Sequence, residues 1–329
     1  MSVTVIKPGI LDTLQDPGRY GYSHWGINPG GVMDTYAARV ANMLVGNDSK
    51  EAVLEVHFPA PQLLFEQHAL IAVTGADLSA TLNDELVPMW HPVVVRKNTV
   101  LHFPKWQQGA RCYLAVHGGF NIPRWLDSYS THLKAGAGGF AGRKLEKADE
   151  LKFKDSMLYV PGLLPDGKDY RVLKWRAGTG KTYEHPNEIC FVKGHEWELL
   201  TPAAQKELQE NNFSIHPSSD RMGYQLRGAP LQVTEHKELV SSGVSFGTMQ
   251  LLPDGQLIVL MADHQTTGGY PRVGHVVSSH LPRLAQLRPG DALQFSLTDI
   301  TTAEEWWLAQ QQELHILQEA CFEHLNQLV

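Results

Sequence analysis

Apolar residues along this chain gather in short runs separated by glycine and proline. Residues 63–65, 69–73, 92–95, 100–103 and 111–116 are such runs, rich in valine, leucine and isoleucine. Runs this short, with β-branched residues and turn signals at both ends, predict strands rather than helices. Many evenly spaced short strands predict a barrel or a sandwich. A second strand-rich half begins at Tyr170-Arg171-Val172-Leu173. Between the halves, Pro161-Gly162, Pro165 and Asp166-Gly167 punctuate the chain, which places a boundary within 156–168. Residues 145–153 and 287–295 echo each other. Each has a turn acid followed by an alternating apolar and polar strand, a sign of a duplicated barrel.

The period changes from two to 3.6 in three places. Tyr36, Ala37, Val40, Ala41 and Leu44 recur at helical spacing behind Asp34, a good N-cap, and Gly46-Asn47 ends the pattern. Residues 201–211 read as a second helix, with Thr201 as cap and Pro202 at its first position. The tail reads as an amphipathic helix over 303–327. Thr302-Ala303-Glu304-Glu305 forms its capping box, and Trp307, Leu314, Cys321 and Leu328 recur every seven residues, joined by Leu317 and Leu325.

Composition narrows the function classes. The 329 residues are 43% hydrophobic and 19% charged, with net charge −7, enough for about two globular cores. The chain has no basic block, which argues against nucleic acid and against an acidic membrane surface as partner. No run of about 18 apolar residues is present, so no membrane span is expected. The opening strand-like Ser2-Val3-Thr4-Val5-Ile6-Lys7 lacks the features of a signal peptide. Three widely spaced cysteines, Cys112, Cys190 and Cys321, fit a reducing compartment, and the cytoplasm is the expected location. Cys112, inside an apolar strand, reads as a buried inert thiol. Sixteen histidines show no metal-ligand spacing, so no metal site is expected. Residues 178–182 imitate a phosphate loop, but Trp175 stands where its first glycine belongs. No Gly-x-Ser-x-Gly elbow is present. Ser241, Ser242 and Ser245 lie in a glycine-rich stretch that reads as a turn or as a hydroxyl lining.

The densest candidate chemistry is Asp263-His264-Gln265-Thr266-Thr267-Gly268-Gly269-Tyr270-Pro271, directly after the buried-strand pattern of 257–262. Crowded polar groups on glycine-bearing backbone at a strand end predict a binding site. Asp77, behind Gly75-Ala76 at another strand end, is able to orient an N–H or act as a base, and equally to hold a turn. The glycine-rich 26–34 loop opens a helix, where anions are attracted, though Asp34 competes for that position. Arg19, Arg143 and Arg221 sit beside glycines and have the fork that grips carboxylates. Arg143 is favoured by the Gly136-Ala137-Gly138-Gly139 loop around it, whereas Arg221 alternatively ties the Ser219-Asp220 turn. His117-Gly118-Gly119 ends one more strand.

The Asp-x-Gln-Thr-Thr-Gly-Gly-Tyr-Pro stretch resembles the signature of the biotin-dependent-carboxyltransferase-like family. That family includes the C subunit of bacterial ATP-dependent 5-oxoprolinase, the KipI antagonist KipA and the allophanate hydrolase subunit 2 group. Lys7-Pro8-Gly9, Thr13-Leu14-Gln15-Asp16-Pro17-Gly18-Arg19, Gly30-Gly31-Val32-Met33-Asp34, Gly75-Ala76-Asp77, Val116-His117-Gly118-Gly119 and Ser219-Asp220-Arg221-Met222-Gly223-Tyr224 follow in the family's order, up to about Phe295. The resemblance implies a mainly β fold of two cyclophilin-like β-barrel domains, at 1–160 and 168–300, with a few short helices and the tail helix at 301–329. It implies catalytic roles for Asp77, Gln265, Thr266 and Thr267. It implies substrate contacts from Arg143, Gly118, Gly119, Gly268, Gly269, Tyr270, Asp34 and Arg221. The leading function implied is one component of an enzyme that opens 5-oxoproline to glutamate. ATP (with Mg) would be co-substrate of a complex with KipI-like and LamB/YcsF-like subunits. The alternatives are a KipA-like regulator and a carboxyltransferase acting on a urea-like amide. No biotin-attachment motif is present, so no biotin is expected on this chain.

Overall fold

The alternating pattern of the first half, joined by the strand Tyr170–Val172 that was expected to open the second, folds into two six-stranded sheets that face each other. The structure is a computed structural model, and residues 2–154, 163–164, 166–235 and 239–328 are described. The boundary expected at 156–168 lies mostly outside them. The chain divides into two compact units. Met1–Gly18, Asp34–Thr179 and Gln312–Val329 form the first, and Arg19–Met33 with Gly180–Gln311 the second.

In the first unit, one sheet runs Glu150–Lys152, Ser2–Lys7, Gln62–Phe65, Val100–His102, Thr81–Leu82, Glu85–Leu86. The other runs Tyr170–Val172, Pro92–Val95, Ala69–Asp77, Gln108–Val116, Val53–His57, Thr13–Gln15. Strand period two sends every second side chain inward. Leu63 and Phe65 are buried while Gln62 and Leu64, which alternate with them, are half-exposed. The two inner faces meet in one core, where Val3, Leu63, Phe65 and Leu101 pack with Leu54, Ile71, Val93 and Leu114. Each such side chain contributes about 1.5–3 kcal/mol by leaving water. Cys112 lies in this core, and burial pushes its thiol far above the ordinary range, the inert state expected. Helix α1, Thr35–Leu44, packs on the strands Ala69–Asp77 and Gln108–Val116.

In the second unit, seven strands close a barrel in the order Glu188–Lys193, Arg272–Val276, Thr248–Leu251, Leu257–Leu260, Gly223–Arg227, Asn212–Ile215, Ala292–Leu297. Closure comes from the parallel pairing of Glu188–Lys193 with Ala292–Leu297, with Cys190 opposite Ser296. A closed barrel leaves no edge strand unpaired. Ile189, Phe191, Phe213, Met249, Val259, Val273 and Phe295 fill it. Helix α2, Pro202–Glu210, is capped as expected, by Thr201 Oγ1 accepting from Ala204 N at 3.2 Å. A short helix α3 covers Leu281–Ala285. The echo between the halves is structural. Asp149 Oδ2 accepts from Glu146 N at 2.7 Å, and Asp291 Oδ2 accepts from Arg288 N at 2.8 Å. The next residue but one downstream of each acid lies in a strand.

Helix α4, Ile300–Asn326, starts three residues earlier than the pattern predicts. Its cap is Asp299, not Thr302. The Asp299 carboxylate accepts from Thr302 N at 2.9 Å and from the Thr302 hydroxyl at 2.8 Å, which removes Thr302 as a capping acceptor. Leu314, Cys321 and Leu325 are the buried residues of this helix, whereas Trp307, expected on the same stripe, is 44% exposed. Anchorage early in the helix comes from its neighbours. Trp306 stacks on His280 with centroids 5.5 Å apart, and Gln310 donates to Thr182 Oγ1 at 3.1 Å.

Candidate functional site

The motif loop leaves the barrel at the end of strand Leu257–Leu260 and runs beside Arg221-Met222. Met261 N donates to Met222 O at 3.1 Å, and Asp263 N to Arg221 O at 2.7 Å. Arg221 is 5% exposed. Its guanidinium grips Asp263 by two bonds, Nε to Oδ2 at 2.8 Å and Nη2 to Oδ1 at 3.0 Å, and Nη2 also donates to Gly31 O at 2.5 Å. Arg221 thus grips Asp263, and in the Ser219-Asp220 turn the Asp220 carboxylate accepts from Met222 N at 2.8 Å. This pair fixes the first residue of the motif and ties the Gly30-Gly31 segment to it.

The next residues are held from below. His264 is buried and its Nδ1 lies 2.6 Å from Gln265 O. A carbonyl only accepts, so Nδ1 carries the hydrogen. Burial pushes the His264 pKa down, which keeps the ring neutral at pH 7. The Gln265 side chain donates through Nε2 to Gln250 Oε1 at 3.2 Å. Gln250 is 1% exposed, and its own Nε2 faces Tyr270 O at 3.5 Å. Sequence reading did not single out Gln250. The available signal was a polar residue among the apolar positions of Thr248–Leu251. Gly268 also explains itself here, since a Cβ on it would collide with Gln250 Nε2. A two-stranded ribbon completes the loop, with Thr267 opposite Gly243 and Gly268 opposite Ser242. Ser242, expected in a turn or a lining, thus braces the motif, whereas Ser245 N donates to Thr248 Oγ1 at 3.1 Å. Gln265 and Thr266 are half-exposed, and Thr267, Gly269 and Tyr270 are exposed.

A cavity of about 940 Å³ opens at the far end of the loop. Gly269, Tyr270 and Pro271 form one wall, with Leu231, Val233 and Leu251 among the others. Gln265, Thr266 and Thr267 do not line it. The space is therefore a neighbour of the motif, lined by Gln232, Glu235 and Asp254 as well as by apolar side chains, and the Gln265, Thr266 and Thr267 groups form a separate surface.

In the first unit the expected residues are spread over several turns. Asp77 ends the strand Ala69–Asp77, and its Oδ1 accepts from Ser79 N at 2.8 Å, so its carboxylate braces a turn. Asp34 is fully buried and caps α1 by accepting from Ala37 N at 2.9 Å, which occupies the helix end where an anion was considered. Arg143 makes a two-bond pair with Asp149, at 2.7 and 2.8 Å, which holds the Asp149 pKa below the usual carboxylate range. Gly118 and Gly119 both have φ of +81°. Gly118 N donates to Asn47 Oδ1 at 2.8 Å, and a Cβ on Gly119 would strike the Glu51 carboxylate. Among the described residues, no group of three or more His, Cys, Asp or Glu side chains is arranged to hold a metal ion. No helix among them is long and apolar enough to cross a membrane.

The chain is 36% identical to the C subunit of 5-oxoprolinase from Escherichia coli over 291 residues, which span 88% of this chain and 89% of that protein. It is 33% identical to the corresponding 5-oxoprolinase component of Haemophilus influenzae over the same length, again 88% and 89% of the two proteins. The crystal structure of K. lactis urea amidolyase superposes with a TM-score of 0.85 at 27% identity, covering 96% of this chain. The chain spans only 20% of that much longer protein. Residues 25–297 match one family throughout, and the chain belongs to the family of the carboxyltransferase domain, subdomain A and B.

Proposed function

We propose that this chain is the C subunit of an ATP-dependent 5-oxoprolinase. The observation that carries the reading is the 36% identity to the Escherichia coli protein of that name across 89% of its length. The motif surface supports it. A lactam without activation resists water, because amide resonance must be broken before the ring opens. Phosphorylating the amide oxygen from ATP makes the carbon electrophilic. Water then adds to that carbon and the C–N bond breaks, which frees the amine and leaves an acyl phosphate, and a second water hydrolyses the acyl phosphate to the carboxylate and inorganic phosphate. Groups that recognise a neutral amide are carboxamides and hydroxyls, and Gln265, Thr266 and Thr267 present these from a braced loop. Their fixed geometry favours one orientation of a small ring. We assign the ATP (with Mg) to the assembled complex, whose other members are KipI-like and LamB/YcsF-like subunits.

Urea is also a small neutral amide, and the 0.85 TM-score with urea amidolyase favours acceptor binding in a carboxyl transfer as the second reading. Glutamate release from 5-oxoproline and ATP separates the two. It is measured with the chain alone, with the KipI-like partner, and with both partners. Turnover in the full mixture that Thr266→Ala abolishes supports the proposal. Asp77→Ala in the same assay reports whether the first unit contributes. An assembled but inactive complex would point to the carboxyl-transfer reading or to a KipA-like regulator.

A further inference from the structure

The orientation of the two glutamine amides is dictated by their surroundings. Tyr270 O is an acceptor, so the amide end of Gln250 that faces it at 3.5 Å is the nitrogen. That turns Gln250 Oε1 toward Gln265, which must then donate, as it does at 3.2 Å. Gln265 is thus oriented from buried structure, and its backbone carbonyl is held separately by His264 Nδ1 at 2.6 Å. One N–H of Gln265 is used by Gln250. Its second N–H and its Oε1 have no partner among the described residues, and the side chain is half-exposed.

We infer that Gln265, oriented by Gln250, reads the N–H and C=O of a cis amide through its remaining N–H and its Oε1. The chemical class follows from the groups. An ordinary secondary amide is trans and turns its N–H and C=O to opposite sides. A five-membered lactam is locked cis and presents both on one side, where a primary carboxamide is complementary to it. Urea shares this feature. A carboxylate, which only accepts, or an ester, which has no N–H, mismatches one half of the pair. Gln265 is then a specificity residue and Gln250 a positioning residue behind it. The identity of the lactam rests on the proposed function, whereas the cis-amide preference rests on the glutamine pair.

The test is a set of dissociation constants measured by ligand-observed NMR on the full chain and on its complex with both partner proteins. The probes are 5-oxoproline, its N-methyl derivative, the corresponding γ-lactone, urea, and 2-iminopyrrolidine, whose protonated amidine offers two donors. The wild-type protein is expected to bind 5-oxoproline at least tenfold more tightly than the N-methyl compound and the lactone. Gln265→Glu, with two acceptors, is expected to reverse the preference toward 2-iminopyrrolidine, an outcome that mere destabilisation does not produce. Gln250→Leu, which keeps the Gln265 side chain but removes the acceptor that orients it, is expected to weaken 5-oxoproline and urea alike. If 5-oxoproline binds and its ranking is unchanged in Gln265→Leu and Gln265→Glu, the inference fails and the oxoprolinase reading stands. If urea binds with the Gln265 dependence and 5-oxoproline does not, the inference stands and the oxoprolinase reading fails. If no cis amide binds the chain or the complex, the inference is overturned.

Discussion

Replacing Asp12 by asparagine should stabilise the protein at neutral and alkaline pH and do little in acid. Asp12 is fully buried, its Oδ2 accepts one N–H, from Gly9 at 2.5 Å, and its Oδ1 has no hydrogen-bond partner. One N–H and the distant charge of Lys144 do not offset the loss of water, and desolvation raises the Asp12 pKa from 3.8 to about 7. The sign follows from linkage. The unfolded chain ionises Asp12 near its ordinary pKa, and the folded chain resists ionisation until about pH 7. Stability from this group is therefore complete below the unfolded value, falls by about 1.4 kcal/mol per pH unit between the two values, and stays low above pH 7. The gap of about three units corresponds to roughly 4 kcal/mol. Asparagine keeps the acceptor for Gly9 and has no charge to bury. Urea denaturation of both proteins at pH 5, 6, 7 and 8, followed by tryptophan fluorescence, measures the difference. The variant should gain progressively from pH 5 to pH 7 and then level off. Parallel stability profiles across this range would refute the argument, because they would show that Asp12 ionises equally in both states.

Three further outcomes follow from named contacts. Gly268→Ala should displace the Gln250 amide, whose Nε2 stands where the new Cβ must go, and reduce 5-oxoproline affinity about tenfold, read in the same NMR titration. Arg221→Lys removes the two-bond grip on Asp263 and cannot replace it with one ammonium, so denaturation should show a loss of about 2–3 kcal/mol. Asp299→Ala removes the acceptor for Thr302 N and should lower helix content at the start of α4 by circular dichroism. Because Thr302 bonds hold the Asp299 pKa below its ordinary value, the wild-type cap is present above that value and lost in strong acid.

Local signals were legible without the fold. The α2 cap and the α1 cap are where short-range chemistry places them, because each needs only residues within one helical turn. Strand positions such as Gln62–Phe65 follow from alternation, since one face must be buried. The motif at 263–271 was visible because glycine and polar residues rarely crowd together after a buried strand. The α4 cap was misplaced by one turn because two acceptors, Asp299 and Thr302, both fit the local pattern. Only the bond between them shows which one is used.

Pairings between distant residues needed the tertiary structure. Sequence reading brought Arg221 and Asp263 forward in separate motifs, 42 positions apart, but no local rule says that they bind each other. Gln250 was invisible for the same reason, as its role is defined by Gln265, Gly268 and Tyr270 across a strand and a loop. Arg143 and Asp77 were named by residue type, and only the fold shows their partners, Asp149 and Ser79 N. The sequence by itself determined a mainly β chain, its family and the stretch proposed to carry the chemistry, because periodicity, caps and motif order are local. Tertiary structure decided which polar groups are already satisfied and which remain for a ligand. Hydrogen-bond capacity is finite, and only the fold shows where it is spent.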